Sequence, residues 1–335
     1  MTVVKSILRW LALAGLAGLA AATVATFLAG FFWVFDLFSH FRLQYIAIAL
    51  VLALLLVWTR PRWAAIAVLL LGIWHGYVYL DVPAARVAET CTSETVDLLA
   101  FNLLYRNERR DEAIAYIVES DADIVVLEEN TAQWAPHLEV LSETYFYRTP
   151  ENWRDADGPT LLSRLPILSV ETVKPFENDT LGANSDLGSF AASKWFRVVQ
   201  LDAGGREVTL IAVHPPYPNG ARLTGLRNGY LADAALRAGQ EIGPTIMVGD
   251  FNTTPWSPIF DDVAALGALK SAGATRPIYP ATWPNFFAAL RIPIDHVLVN
   301  DAVGVAAYER GPDRGSDHFP IRATLCFDPS AADAS

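Results

Sequence analysis

Basic charge and cysteine are both scarce in this 335-residue sequence. Six of the 25 basic and three of the 36 acidic residues fall in the first 90 positions. Residues 91–335 therefore carry 19 basic and 33 acidic side chains, a formal net charge of −14. A domain with that charge repels a polyanion at long range, which argues against tight non-specific binding to nucleic acid. A phosphate substrate remains compatible, because a bound divalent cation reverses the local field.

Charged residues are missing altogether from three apolar runs near the N-terminus. The runs cover residues 10–35, 43–59 and 63–80, and a helix needs about 20 residues to cross the hydrocarbon core of a bilayer. Buried helices of a soluble protein are the alternative, but three successive uncharged runs favour three transmembrane helices. A cleavable signal peptide has a much shorter apolar core than the first run. Three helices without internal charges also offer no ion path, which argues against a transporter.

The flanking charges predict how these helices are oriented. Lys5 and Arg9 precede the first run, and Arg60 and Arg62 lie between the second and third runs. The other connection holds only Arg42 as a basic residue. Because basic residues concentrate on the cytoplasmic side, the N-terminus is expected in the cytoplasm and the chain beyond residue 81 in the periplasm or outside the cell. This predicts a multi-pass protein of the inner membrane.

Cys91 and Cys326 are the only cysteines, and they lie at opposite ends of the region that follows the apolar runs. They are either two unrelated small hydrophobic residues or a disulfide pair. An exported compartment and the end-to-end placement favour the disulfide.

The sequence divides into a membrane domain at 1–81, a linker at 82–92, a mixed domain at 93–328 and a disordered tail at 329–335. Within the mixed domain, residues 178–193 are rich in Asn, Asp, Gly and Ser and predict a loop. Short β-rich or alternating runs predict strands at 95–102, 122–129, 195–201, 207–214, 245–252, 294–299 and 319–327. Helical spacing predicts helices at 108–119, 131–141 and 223–238. Many strands with few intervening helices predict an α+β sandwich of stacked sheets flanked by helices.

Polar residues recur where the predicted strands end, and strand ends are where a rigid scaffold presents side chains to a cleft. They are Asn102, Glu129, His214, Asp250, Asn252, Asp295, Asp317 and His318. Singly each signal is weak, since Asp250 serves equally well as a turn residue. Together they supply carboxylate and amide oxygens without thiolates, which suits a hard cation such as Mg²⁺ or Mn²⁺. The histidines then remain for proton transfer or phosphate contact.

The order of the motifs resembles the endonuclease/exonuclease/phosphatase superfamily over roughly residues 95–327. The motifs are FN at 101–102, LEE at 127–129, HPPYP at 214–218, GDFN at 249–252, IDH at 294–296 and GSDH at 315–318. The resemblance implies a DNase I-like, four-layered α/β sandwich behind the membrane helices. It is specific for fold and reaction type and says little about the substrate. In that fold the first and last strands are neighbours, which would bring Cys91 and Cys326 together if they run antiparallel.

The resemblance also implies a role for each residue. Glu129 is the main metal ligand, with Asn102 beside it and Asp317 contributing from the other half of the sandwich. Asp250 orients or deprotonates the attacking water, and Asn252 holds the scissile phosphate. His318 pairs with Asp295, and His214 lies across the phosphate. Which group accepts the proton stays open.

One residue departs from the pattern of the family. The position before the metal-binding glutamate is usually Gln, and here it is Glu128. The extra carboxylate either lies near the metal or faces solvent.

These features predict a membrane-anchored, metal-dependent phosphoesterase that hydrolyses a phosphomono- or diester by in-line attack of water. Three helices hold the domain near a bilayer, which favours a lipid or lipid-linked substrate. An extracytoplasmic nuclease of the same fold is the alternative. A non-catalytic, membrane-tethered binding module is a further alternative, but it has no need for the complete set of polar residues.

Overall fold

The computed structural model describes residues 2–88, 91, 95–149, 158–175 and 194–327. The predicted loop at 178–193 and the predicted tail at 329–335 lie wholly outside the described residues, and the predicted linker lies partly outside them. The chain forms two compact units. The first comprises Met1–Val82 together with Thr254–Phe260, and the second comprises Pro83–Thr253 together with Asp261–Ser335. The segment Thr254–Phe260 thus groups with the N-terminal helices, although its sequence lies inside the predicted 93–328 domain.

Among the described residues, four complete helices lie in the first unit, and three of them are long and apolar enough to cross a membrane. The helices are α1 (Thr2–Phe27), α2 (Trp33–Ser39), α3 (Arg42–Thr59) and α4 (Arg62–Leu80). Large apolar side chains on their outer surfaces, such as Leu54 and Ile73, are exposed, as expected of helices whose solvent is lipid. The candidate spans support membrane association.

The expectation of one continuous helix over 10–35 is wrong. Helix α1 ends at Phe27, a turn follows, and α2 begins at Trp33. Gly30 lies in that turn, and glycine is a poor helix former because it loses the most backbone freedom on ordering. The break allows α2 to bury Asp36, which is 4% exposed.

A polar cluster lies among the three long helices. Both ring nitrogens of His75 make hydrogen bonds. Nε2 lies 3.0 Å from Thr23 Oγ1, and Nδ1 lies 3.1 Å from Arg42 Nη1. The same guanidinium donates to Thr26 Oγ1 at 3.3 Å. Because these side chains come from α1, α3 and α4, their hydrogen bonds hold the three helices together where apolar packing alone is weak.

The second unit is built on two mixed sheets. One has the strand order β1-β12-β13-β2-β3-β5-β4 and the other β10-β11-β9-β8-β7-β6. Their bounds are β1 (Arg86–Val87), β2 (Thr95–Asn102), β3 (Ile124–Glu128), β4 (Tyr147–Arg148), β5 (Thr160–Ser163), β6 (Ile167–Val173), β7 (Phe196–Asp202), β8 (Glu207–Val213), β9 (Thr245–Asp250), β10 (Lys270–Ser271), β11 (Asp295–Val299), β12 (Gly304–Arg310) and β13 (Ile321–Cys326).

The two sheets pack face to face across an apolar core. Side chains of β2 and β3, including Leu98 and Val126, meet side chains of β8 and β9, including Leu210 and Val248. The outer faces are covered by α5 (Arg110–Glu119), α6 (Ala135–Leu138) and α7 (Ala221–Gly239), and the C-terminal end of α8 (Pro258–Gly267) lies beside α7. The expected α+β sandwich of stacked sheets flanked by helices, with three candidate membrane helices before it, is confirmed.

Helix α6 is shorter than the helix predicted at 131–141. Pro136 lies in its first turn, and proline is tolerated only there because it lacks the amide hydrogen that an interior position must donate. Beyond Leu138 the chain tightens into a 3₁₀ turn over Glu139–Glu143.

Each sheet has a parallel pair near its centre, β2 with β3 and β8 with β9. Parallel strands present their carboxyl ends at the same edge of a sheet. Asn102 and Glu129 therefore emerge side by side from one sheet, and His214 and Asp250 from the other. This pairing positions the candidate site.

The predicted disulfide between Cys91 and Cys326 is present, with a Cα–Cα separation of 5.8 Å. Strand β13 runs antiparallel to β2 and places Cys326 opposite Thr95. The bond therefore closes the first and last long strands of the unit at one end of their ladder.

Replacing both cysteines by serine is expected to destabilise the second unit. A cross-link between residues 235 positions apart restricts the unfolded chain, and its loss costs about 4–5 kcal/mol by loop entropy. Denaturant unfolding of the oxidised protein and the double variant measures the difference. Added reductant should lower the midpoint of the wild type and leave the variant unchanged. Equal midpoints without reductant would contradict the prediction.

Candidate functional site

The site begins where β2 and β3 end. Asn102 closes β2, and its Nδ2 lies 3.4 Å from Glu129 Oε1. Glu129 follows β3 with a φ of 56°, which turns its carboxylate away from the strand direction. Its Oε2 accepts a hydrogen bond from the Tyr105 amide at 3.1 Å. Asn102 is buried, whereas Glu129 is half-buried, so the glutamate oxygens remain accessible to a ligand.

The Asp250 carboxylate connects the ends of the two sheets. Its Oδ2 accepts a hydrogen bond from Asn102 Nδ2 at 3.2 Å and lies 3.7 Å from His318 Nε2 and 4.0 Å from His214 Nε2. Its Oδ1 accepts from the Asn252 amide at 2.8 Å. One buried carboxylate therefore contacts four of the residues that the sequence predicts for the site.

His318 is oriented by Asp295. Its Nδ1 lies 3.0 and 3.1 Å from the two carboxylate oxygens of Asp295, which leaves Nε2 directed at Asp250. The loop that carries His318 is fixed by Ser316, whose hydroxyl donates to the Asn102 carbonyl at 2.6 Å. The same hydroxyl accepts from the His318 amide at 3.1 Å. The imidazole thus has one ring nitrogen directed into the site.

His214 and Asn252 lie on the β8–β9 side. The His214 amide donates to Tyr230 Oη at 3.1 Å, and that hydroxyl donates to the Trp195 carbonyl. Asn252 has a φ of 50° and donates from Nδ2 to the Pro215 carbonyl at 3.2 Å. Tyr230 therefore fixes the backbone at His214, and the HPPYP motif holds the Asn252 side chain.

Asp317 is half-buried and faces a different set of partners. Its Oδ2 accepts from the Trp283 indole at 3.1 Å, and its carbonyl accepts from the Asn285 amide at 2.8 Å. Asn285 also donates through Nδ2 to the Ser316 carbonyl. The loop of Trp283 and Asn285 therefore determines where the Asp317 carboxylate lies.

Burial and charge give the site residues unusual pKa values. Burial raises the pKa of Asp250 to about 7, against the lowering effect of His318. Burial by itself would lower the pKa of His318, but the carboxylates of Asp295 and Asp250 raise it to about 10. Burial holds the pKa of His214 well below its usual value. At neutral pH the site therefore combines a cationic imidazole, a neutral imidazole and a carboxylate near its own pKa.

Glu128 does not face solvent. It is 1% exposed, and neither carboxylate oxygen makes a hydrogen bond within the described part of the chain. Burial, followed by the charges of Asp295 and Asp250, raises its pKa well above the usual value. The departure from the family pattern thus places a further carboxyl group directly beneath the site.

Gly249 makes room for this arrangement. It has a φ of 140°, and a Cβ there would collide with the Val213 carbonyl and approach Glu128 Oε1 to 2.9 Å. Only glycine combines this backbone conformation with such a close approach of two strands.

Among the described residues, atoms of Asp250, Asp295 and His318 lie within 4.8 Å of one another and form a group that could hold a metal ion. The oxygens of Asn102, Glu129 and Asp317 are of the type that Mg²⁺ and Mn²⁺ prefer. Glu129 and Asp317 are half-buried, and one Asp317 oxygen accepts the Trp283 hydrogen bond. The donor set present therefore fits a hard cation.

Several supporting residues carry no motif signal. Arg227, buried in α7, donates from Nη1 to the Asn252 carbonyl at 3.0 Å. Tyr230 lies one helical turn further along and contacts His214. Their spacing on α7 reads as an ordinary core face, so only the folded chain reveals their contacts.

A family model described as the "Endonuclease/Exonuclease/phosphatase family" matches residues 99–318. No curated protein matches the chain. Solved structures match 68–70% of this chain at 14–21% identity. They include a humanized D. rerio TDP2 (15% identity, 99% of that chain, TM-score 0.55), a sphingomyelinase C from Streptomyces griseocarneus (21%, 99%, 0.50) and an endonuclease/exonuclease/phosphatase from Bacteroides vulgatus (20%, 100%, 0.56). At this identity the likeness shows the fold.

Gly249→Ala is expected to destabilise the second unit by several kcal/mol. The new Cβ would collide with the Val213 carbonyl in a backbone conformation that alanine rarely adopts, and strain of this kind costs about 1–3 kcal/mol before the clash is counted. Gly225→Ala is the matched control, because nothing lies within 4 Å of the point in α7 that its new Cβ would occupy. Denaturant unfolding should separate the two variants. Equal midpoints would contradict the proposed need for glycine at 249.

Proposed function

Because the chain belongs to the endonuclease/exonuclease/phosphatase family, we propose that it is a metal-dependent phosphoesterase acting on a phosphomono- or diester. The observation that carries the proposal is the contact of Asp250 with Asn102, His214, Asn252 and His318 at the ends of two sheets. A binding module without chemistry has no need for a buried carboxylate between two imidazoles.

Water attacks phosphorus in line with the leaving oxygen, and Asp250 orients the water and accepts its proton. A carboxylate with a pKa of about 7 is well matched to that task near neutral pH. Asn252 donates its side-chain amide to the phosphate. Asp250 and Asn252 lie in the same turn at the end of β9, so the backbone fixes their relative position.

The two histidines have different tasks because their charges differ. His318, held by Asp295 and cationic, stabilises the negative charge that develops on the phosphoryl oxygens. His214 is neutral and donates a hydrogen bond to a phosphoryl or leaving oxygen from the opposite side. Asn102, Glu129 and Asp317 would hold Mg²⁺ or Mn²⁺, which would polarise the phosphoryl group.

The substrate is proposed to be a lipid or lipid-linked phosphate. Three candidate membrane helices precede the domain, and they would confine it to the surface of a bilayer, where such substrates are concentrated. The net acidic charge of residues 91–335 disfavours a nucleic-acid polyanion. The nuclease alternative is tested by including single-stranded DNA among the substrates.

Asp250→Asn and His318→Ala should each lower turnover by about 10²–10⁴-fold, the range for a lost proton-transfer or charge-stabilising group. The exposed pair Asp111 and His137, whose side chains are 2.8 Å apart, provides the matched controls Asp111→Asn and His137→Ala, which should retain full turnover. The assay uses sphingomyelin vesicles, a prenyl diphosphate, an inositol phosphate and single-stranded DNA with Mg²⁺.

A chelator should abolish hydrolysis, and Mg²⁺ or Mn²⁺ should restore it. Hydrolysis by the purified wild type that persists in excess chelator would rule out the metal-dependent mechanism. Turnover by His318→Ala equal to that of the wild type would rule out its role in stabilising charge.

We further propose that the N-terminus is cytoplasmic and the second unit lies outside the cytoplasm. Arg60, directly after α3, and Arg62, the first residue of α4, support this orientation, as does a disulfide, which persists in oxidising compartments. A reporter active only outside the cytoplasm should be active when fused after Ser335 and inactive when fused before Met1. The reverse pattern would refute the orientation.

A further inference from the structure

The segment Thr254–Phe260 begins two residues after Asn252 and belongs to the same compact unit as the N-terminal helices. It reads TPWSPIF. Prolines at 255 and 258 fix the backbone on either side of Trp256 and Ser257. A turn is closed by the Ser257 amide, which donates to the Thr254 carbonyl at 3.2 Å. The segment is therefore short and stiff. Its position determines where the residues joined to it lie.

Three of its side chains make specific contacts within the first unit. The Ser257 hydroxyl donates to Asp36 Oδ1 at 2.6 Å. Thr254 Oγ1 lies 2.9 Å from His40 Nδ1. The Trp256 indole stacks on Tyr79, with ring centroids 5.2 Å apart. The partners belong to α2, to the turn after it and to α4, so the segment is held at several points.

Asp36 is arranged for this contact. The Ser39 hydroxyl donates to its carbonyl at 2.6 Å and lies 3.1 Å from its Oδ1. Asp36, Ser39 and Ser257 are all nearly fully buried. A buried carboxylate is costly unless donors surround it, so retaining one here indicates a specific task in addition to apolar packing.

The preceding residues are held within the second unit. Arg227 Nη1 donates to the Asn252 carbonyl at 3.0 Å, and His296 Nε2 lies 2.9 Å from the Thr253 carbonyl. One peptide bond later, Thr254 is held by His40. The catalytic turn of Asp250 and Asn252 is thus continuous, through Thr253, with a segment fixed by α2.

We infer that Asp36 is a positioning residue: through its hydrogen bond to Ser257 it fixes the segment that follows Asn252 and so sets the geometry of the catalytic turn. The N-terminal unit then contributes to turnover as well as to membrane attachment. The inference rests on the proposed function for its kinetic part. Its structural part concerns the order of the turn and stands independently of any substrate.

The kinetic test uses the full chain in detergent with bis(p-nitrophenyl) phosphate and Mg²⁺. Ser257→Ala and Asp36→Ala should each lower kcat about tenfold or more, because a misplacement of about 1 Å can cost up to 10²-fold, while KM stays within about twofold. The double variant should be no slower than either single variant, since both changes remove the same contact. Asp36→Asn keeps an oxygen acceptor for Ser257 and should restore most of kcat.

The matched control is Thr59→Ala. Thr59 is a buried hydroxyl of the same unit, and it donates only to the Leu55 carbonyl within α3 among the described contacts. It should leave kcat unchanged. If Thr59→Ala lowers kcat as much as Ser257→Ala, or if Ser257→Ala leaves kcat unchanged, the inference is overturned.

Amide hydrogen exchange tests the structural part without a substrate. Ser257→Ala should speed exchange at Phe251–Thr254 and leave the core strands β2 and β8 as protected as in the wild type. Faster exchange throughout the chain would indicate a general loss of stability and would overturn the inference, as would unchanged exchange. A wild type without phosphoesterase activity that still shows the local change would refute the proposed function and support the positioning role of Asp36.

Discussion

The Asp250 carboxylate is the constraint on which the site depends. It is 2% exposed, and a carboxylate so deeply buried requires donors and a positive charge close by. Asn102 supplies a donor from one sheet, and His318, paired with Asp295, supplies the charge. Each of these partners is presented by the end of a different strand or loop, so satisfying one carboxylate fixes the mutual positions of β2, β9 and β11. The stability of the buried carboxylate and the proposed chemistry of the site therefore require the same packing of the two sheets.

Much of this arrangement could be predicted from the sequence, because the signals are local. The alternating run at 95–102 is β2 over the same residues, and the hairpin at 195–201 and 207–214 corresponds to β7 and β8 within one residue at each end. The cysteine pair follows from composition and placement. The contact of His318 with Asp295 was expected from the resemblance to the family, and the two side chains do meet. The metal-binding roles of Glu129 and Asp317 remain predictions.

What could not be predicted depends on contacts between distant parts of the chain. Strand β12 contains a bulge and exposes four of its seven residues, so its sequence alternates poorly. The burial of Glu128 follows from the approach of Val213 and Gly249, which no periodicity in β3 reveals. Likewise, TPWSPIF reads as a surface loop by its prolines, whereas Trp256 and Ser257 are buried among residues more than 170 positions earlier in the chain.

The place of β13 in its sheet has a consequence for biosynthesis. The last of the described strands, β13, lies between β12 and β2 in the interior of the sheet. A nascent chain in which β13 has not yet been synthesised therefore exposes an unpaired edge of β2, which is a template for wrong strand pairing. The same strand follows His318 and carries Cys326, so the imidazole, the ladder and the disulfide are completed in one late step. A chain without β13 should therefore fail to assemble the site, and the proposed hydrolysis depends on this strand.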